Sequence, residues 1–316
     1  MRILALVPGG IGDQLLFFPT LETLQQSFPK AAIDVVVEPR AVAAYRLCPV
    51  AVTPRPFDFK ARNSLADWAN LLGILREQEY AIALSLGRNP NIGLFLWLAG
   101  IPQRVGYGDS LFLTDRVPYN GHQHAAHAYH DLVKGLGIAT PPPKVRIAVA
   151  KADLEWANRE RTALGITGGY IALHPGASLL SQIKGIDKIY PAAQWVEVLQ
   201  GLQAQAPDLP MVLLQGPEDG AIAQEMVAAL PGIKPMVPPD TGKLAALIAG
   251  ANLFLCTDSA PMHIGVAVEA NLLALFGATD PAKLLPVHPN FQFVQAPAGQ
   301  PIAAITPTAI LAKLLT

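Results

Sequence analysis

The chain has 316 residues, 51% of them hydrophobic and 15% charged, a globular composition in which nothing signals disorder. With 23 Lys and Arg against 24 Asp and Glu, it lacks the field that would gather nucleic acid unaided, although a local basic patch stays open. The length exceeds one typical core: domains of roughly 100 to 200 residues predict two halves, with a small-molecule cleft between them.

Cys48 and Cys256 are far apart and lack CxxC or Cys/His spacing, so neither a zinc site nor a disulfide scaffold is expected, and both read as buried small apolar residues. The opening MRILALVPGGIGD interrupts its apolar run with glycines and an acid, unlike a signal peptide, so the mature chain is expected to begin at Met1 in the cytoplasm. The most apolar later segment, 92–101, is glycine-interrupted and about half the ~20 residues needed to cross a bilayer. A peripheral contact with the inner membrane surface remains compatible with it.

Short apolar runs alternate with amphipathic stretches, the pattern of βα units and a mostly parallel sheet, hence an α/β class. In chain order the first half predicts strands over 2–7, 33–37, 81–86 and 104–106, with helices after Gly12 and over 64–79 and 125–136. Pro141 to Pro143 and the stretch to Gly165 mark the passage to the second half, giving domains 1–150 and 151–316. There, strands are predicted over 170–173, 211–214, 253–256 and 272–276, and helices over 192–203, 220–230, 243–249 and 261–268. A closing helix over 307–315 is free to pack on either half.

Three segments carry chemistry. Val7-Pro8-Gly9-Gly10-Ile11-Gly12-Asp13 leaves a strand and opens a helix, where glycines admit a close ligand and free N–H groups suit an anion. A dinucleotide fingerprint, G-x-G-x-x-G, starts at Gly10 and Gly12 but meets Leu15 at its third glycine. Asp13, repelling phosphate while complementing the helix dipole, is by itself a helix-start acid. His174-Pro175-Gly176-Ala177-Ser178 follows another strand, and a polar loop then leads to Lys188-Ile189-Tyr190-Pro191. A lysine there is placed to neutralise a diphosphate. Thr257-Asp258-Ser259-Ala260-Pro261-Met262-His263 and Phe276-Gly277-Ala278-Thr279-Asp280-Pro281 occupy the next two strand ends. Asp258 or Ser259 has an ordinary reading as an N-cap with Pro261 in the first turn, but adjacent polar loops in one α/β half form a nucleotide crevice.

These segments, with Phe18-Pro19-Thr20-Leu21, Leu98-Ala99-Gly100-Ile101-Pro102, Val105-Gly106-Tyr107, His124 before Tyr129 and Gly216-Pro217, resemble glycosyltransferase family 9, the ADP-heptose:lipopolysaccharide heptosyltransferases, almost end to end. The resemblance implies a GT-B fold, two Rossmann-like domains with mostly parallel sheets facing a central cleft. It implies an acceptor-binding amino half, a donor-binding carboxyl half and inversion at the anomeric carbon. Carried over by position, Asp13 looks like the general base. Ala177, Ser178 and Lys188 look like diphosphate contacts, Asp219 like an acid on the ribose, and Asp258, Ser259, Ala260 and His263 like contacts to sugar and diphosphate. Gly12, Arg62 and Arg88 are the acceptor-side candidates, within a thin set that includes Arg55, Lys60 and Arg104. Ile189-Tyr190 stands where the family more often has a basic residue and tryptophan, and Ala260 replaces a usual glycine.

The expected partners are a nucleotide-sugar donor and a glycan or glycolipid acceptor, without nucleic acid. No Asp-x-Asp pair ends a strand, so no metal site and no cofactor are expected, with protein groups neutralising the leaving diphosphate. Two rivals remain at this stage. One is a nucleotide-sugar epimerase or nicotinamide enzyme; the other is a sugar-nucleotide-binding relative without turnover.

Overall fold

A computed structural model describes residues 1–60, 63–178 and 185–314. The chain divides into two compact units, Met1–Ala148 and Val149–Thr316. In the first, β1 (Arg2–Val7), β2 (Ala32–Val37), β3 (Thr53–Pro56), β4 (Ile82–Ser85), β5 (Gln103–Tyr107) and β6 (Asp115–Val117) form a parallel sheet in the order β3-β2-β1-β4-β5-β6. In the second, β7 (Ile171–His174), β8 (Met211–Leu214), β9 (Lys234–Met236), β10 (Leu253–Thr257), β11 (Leu272–Phe276) and β12 (Phe291–Gln295) are ordered β12-β11-β10-β7-β8-β9, also parallel. Counted from its own first strand, the second order repeats the first. Strand order reverses between β1 and β4 and again between β7 and β10, and such reversals open ligand crevices at the strands' carboxyl ends.

Helices cover both faces of each sheet, so central strands are apolar without alternation: β1, β7 and β11 are almost wholly buried. Helix Ile11–Ser27 is buried from Gln14 to Leu24, and its one buried amide, Gln14, is satisfied by donating to Val7 O and accepting from the Tyr45 hydroxyl. The predicted helix over 125–136 divides into Ala125–His130 and a 3₁₀ turn, Asp131–Leu136, stopped by left-handed Gly137. The apolar segment at 92 forms a short helix, Ile92–Leu98, that the sequence did not reveal.

The closing helix, Pro307–Leu314, packs on the carboxyl unit. Its Ile310 joins the core with Leu202, and Leu311 lies so close over Gly201 that a Cβ there would stand 2.5 Å from Leu311 Cδ1. Both cysteines are unpaired; Cys256 is buried as expected, whereas Cys48 is only half-buried, with burial pushing its thiol pKa up to about 12. No described helix is long and apolar enough to cross a membrane.

Candidate active site

On the amino unit, Pro8 to Gly10 carry the chain from β1 into helix Ile11–Ser27. Gly9 sits at φ 155°, and a Cβ on it would lie 2.3 Å from Asp13 Oδ2. Only glycine lets the carboxylate fold back over this turn. Asp13 Oδ2 accepts from Gly10 N at 2.8 Å, the return bond of a capping box, and Oδ1 accepts from the Tyr129 hydroxyl at 2.9 Å. Asp13 is half-buried; with one donor on each oxygen, about two of the four acceptor positions of an ionised carboxylate stay open. Arg88 follows β4 across the strand reversal, its guanidinium stacked 4.6 Å from the Tyr119 ring centre.

On the carboxyl unit, β7 ends at His174 and the chain runs through Gly176 to Ala177. A Cβ on Gly176 would overlap Asp219 Oδ1 at 1.6 Å, and one on Gly216 would lie 2.7 Å from Asp219 Oδ2. The two glycines make room for a carboxylate that is only 5% exposed, that accepts from Gly216 N at 2.8 Å and that lies 3.2 Å from His174 Nε2. Burial lowers the His174 pKa and outweighs the pull of Asp219, so the neutral ring donates Nε2–H to the carboxylate.

Asp258 leaves β10 nearly buried, at 2% exposure. One of its oxygens, Oδ2, receives both Lys188 Nζ and Thr279 Oγ1, each at 2.6 Å. Thr257 Oγ1 donates to Gly176 O at 3.2 Å, tying the β7 and β10 loops together. Gly277 keeps the β11 end small where Asp187 approaches: a Cβ there would stand 3.1 Å from Asp187 O. Ser259 is the N-cap of helix Ala260–Ala267, but its hydroxyl turns back to Thr257 O at 3.3 Å and does not cap the helix. A helix start without its own side-chain cap favours an anion. Lys188 has three N–H donors, of which one goes to Asp258 and two have no hydrogen-bond partner among the described residues.

The structure thus brings Lys188, Asp258 and the loop of Ala177 and Ser178 to one strand reversal. Ala260 and His263 lie on the helix that follows β10; Ala177 and His263 are buried and Ser178 is exposed. Gly12 lies in the first turn beside Asp13. Arg62 lies outside the described residues. Asp219, expected on a ribose, is buried against His174 and Gly216 N, in a space that the two glycines leave open. Of the other amino-half cations, Arg55 binds Asp34 at 2.8 Å together with Arg2, and Arg104 is spent on the carbonyls of Phe112, Ile101 and Pro102. Among the described residues no group of three or more His, Cys, Asp or Glu is placed to hold a metal. Sequence reasoning did not single out Tyr129 or Thr279 as partners of the two acids, since nothing in the residue spacing joins positions 116 and 21 residues apart.

Comparison with known proteins gives the same constellation a family. The model of glycosyltransferase family 9 (heptosyltransferase) matches residues 68–309. Lipopolysaccharide heptosyltransferase 3 of Escherichia coli is 27% identical over 292 residues, covering 85% of this chain and 81% of that protein. Among solved structures, E. coli ADP-heptose lps heptosyltransferase II superposes with a TM-score of 0.80 at 22% identity, covering 100% of this chain and 98% of the other. An E. coli heptosyltransferase solved with ADP-2-deoxy-2-fluoro heptose gives 0.74 at 22%, covering 100% and 99%. At that identity the structures establish the fold, GT-B, and the family match over more than half the chain establishes the rest: this protein belongs to glycosyltransferase family 9, the heptosyltransferase family, and is a glycosyltransferase.

Proposed function

We propose that the protein transfers a heptose from an ADP-activated donor to a hydroxyl of a lipopolysaccharide-type glycolipid, with inversion and with Asp13 as general base. The observation that carries the donor half is the cluster of Lys188, Asp258 and Thr279 beside the helix start at Ser259, at the β7/β10 reversal where α/β units bind nucleotides. The E. coli relative solved with ADP-2-deoxy-2-fluoro heptose supports an ADP-sugar as the ligand.

In the transfer, Asp13 takes the proton of the acceptor hydroxyl as that oxygen bonds to the anomeric carbon. The bond from that carbon to the diphosphate oxygen breaks on the opposite face, and ADP departs with its electron pair. Negative charge grows on the diphosphate, where the Lys188 ammonium and the Ala260–Ala267 helix start oppose it. Asp258, itself held by the Thr279 hydroxyl, keeps the ammonium in place beforehand, so little reorganisation accompanies the step. Protein groups serve where other transferases use a divalent ion, and the reaction is expected to proceed in excess EDTA.

Lys188→Ala is expected to weaken ADP binding about 10- to 150-fold, the equivalent of a charge-assisted contact of roughly 1.5 to 3 kcal/mol. Isothermal titration with ADP measures it; unchanged affinity would transfer the role to another cation, with Lys184, outside the described residues, the next to test.

A glycolipid acceptor brings the enzyme to a lipid surface, and the amino unit carries the apolar patch to meet one. On helix Ile92–Leu98, Leu94, Trp97 and Leu98 share one exposed face, and Trp97, 50% exposed, rests its ring 5.3 Å from Phe112 beside Leu111, which is 82% exposed. Amphipathic rings with aliphatic neighbours suit a headgroup boundary. Wild-type protein is expected to sediment with vesicles of mixed phosphatidylethanolamine and phosphatidylglycerol, and the variant Trp97→Ser/Leu111→Ser to stay in the supernatant. Equal sedimentation of the two would remove this patch from the account.

A further inference from the structure

Asp13 and Tyr129 meet across 116 residues, and the contact explains features of the amino unit that the base reading alone leaves idle. The bond from Gly10 N fixes one carboxylate oxygen, but a single bond leaves the soft terminal torsion of an aspartate free to swing. A second donor on the other oxygen stops that rotation. The donor is itself held: helix Ala125–His130 has six residues, too few to stand alone, and is pinned by two bonds on either side of Tyr129. The Tyr107 hydroxyl of β5 donates to Ala128 O, and His130 Nε2 pairs with Thr23 Oγ1 of helix Ile11–Ser27 at 2.8 Å. Burial, with Asp13 adding to it, pushes the Tyr129 hydroxyl well above its ordinary pKa, so it stays protonated as a donor at neutral pH.

We propose that Tyr129 is the positioning residue of the acceptor-side base, locking the Asp13 carboxylate plane so that its open lone pairs face the acceptor hydroxyl. The proposal rests on the reading of Asp13 as the base. Tyr129 exchanges no proton in the transfer: the acceptor's proton goes to Asp13, and the tyrosine keeps its own. Its contribution is orientation, and a displacement of about 1 Å in a reacting group costs on the order of 10²-fold in rate.

The test is a double-mutant cycle on Asp13→Asn and Tyr129→Phe, assayed as acceptor-dependent ADP release with both substrates saturating. Tyr129→Phe is expected to lower kcat about 10- to 100-fold, with the donor KM and the affinity for ADP within twofold of wild type. The double variant is expected to be no slower than Asp13→Asn alone, because a group that only orients the carboxylate has nothing left to orient. Rates of Tyr129→Phe within twofold of wild type, while Asp13→Asn is impaired, would overturn the proposal and leave the base reading standing. A loss that carries over in full to the Asp13→Asn background would show a general packing defect and also overturn it. An Asp13→Asn enzyme at wild-type rate would remove the base reading, and the proposal with it.

Discussion

Asp13→Asn is expected to lower transfer about 10²- to 10⁴-fold with acceptor and donor saturating, the range for loss of a general base. The substitution is close to isosteric at this site. The asparagine oxygen can still accept from Gly10 N, and its amide faces a Tyr129 hydroxyl that can turn from donating to accepting. The variant should therefore keep the wild-type unfolding midpoint and bind ADP normally on the carboxyl unit. Steady-state ADP release, read beside a thermal melt and an ADP titration, separates chemistry from folding. A near wild-type rate would reduce Asp13 to a helix-start acid.

The second large effect is expected at Gly176. An alanine there would set its Cβ 1.6 Å from Asp219 Oδ1 and 2.2 Å from Asp219 Cγ, distances that the present Asp219 side-chain position does not allow. Asp219 must leave its pocket, which strips Gly216 N and the neutral His174 of their acceptor. Overpacking costs roughly 1 to 3 kcal/mol and each of the two groups left unpaired about 1 to 3 more, so Gly176→Ala should destabilise the carboxyl unit by about 3 kcal/mol or more. The same shift moves Ala177 and Ser178, and ADP affinity should fall at least about tenfold. Urea unfolding and an ADP titration measure both. A variant within about 0.5 kcal/mol of wild type, the range of an ordinary surface change, would mean that the inward Asp219 is not a structural requirement.

What the sequence concealed has a common physical cause. Of the twelve strands, the central eight were read from their apolar runs, because a parallel strand covered on both faces must be apolar throughout. The four not read, β3, β6, β9 and β12, are the four sheet edges. β3 is Thr-Pro-Arg-Pro and β9 is Lys-Pro-Met, prolines that a central strand cannot accept but an edge can, with one side free of ladder bonds. β12, Phe-Gln-Phe-Val-Gln, is part-exposed and looks like a loop on composition. Helix Ile92–Leu98 escaped because its exposed face is as apolar as its buried one, which erases the periodicity that marks a surface helix.

The site was legible where chemistry sits in contiguous motifs at strand ends. The segments at Asp13, Gly176 and Asp258 all lie where strand order reverses, and Lys188 does reach Asp258 despite the long loop before it. The pairing of each acid was not legible. Asp219 turns inward because Gly176 and Gly216 leave a recess, a fact of three-dimensional packing that residue type alone does not encode. Thr279 meets Asp258 because β10 and β11 run side by side, and Tyr129 meets Asp13 because helix Ala125–His130 packs on helix Ile11–Ser27. Arg55 and Arg104, cations by sequence, are committed to Asp34 and to backbone carbonyls, and so leave the amino unit less basic than a count of arginines implies.

The most direct test of the central claim mixes purified enzyme with ADP-heptose and a lipopolysaccharide core lacking its terminal heptose, in excess EDTA, and follows ADP release and the anomeric configuration of the product by NMR. ADP release is expected only when the acceptor is present, with one heptose added per ADP formed and the configuration of the new linkage opposite to that of the donor. ADP formed without acceptor, a linkage of retained configuration, or transfer that appears only when Mg²⁺ or Mn²⁺ is restored would contradict that claim.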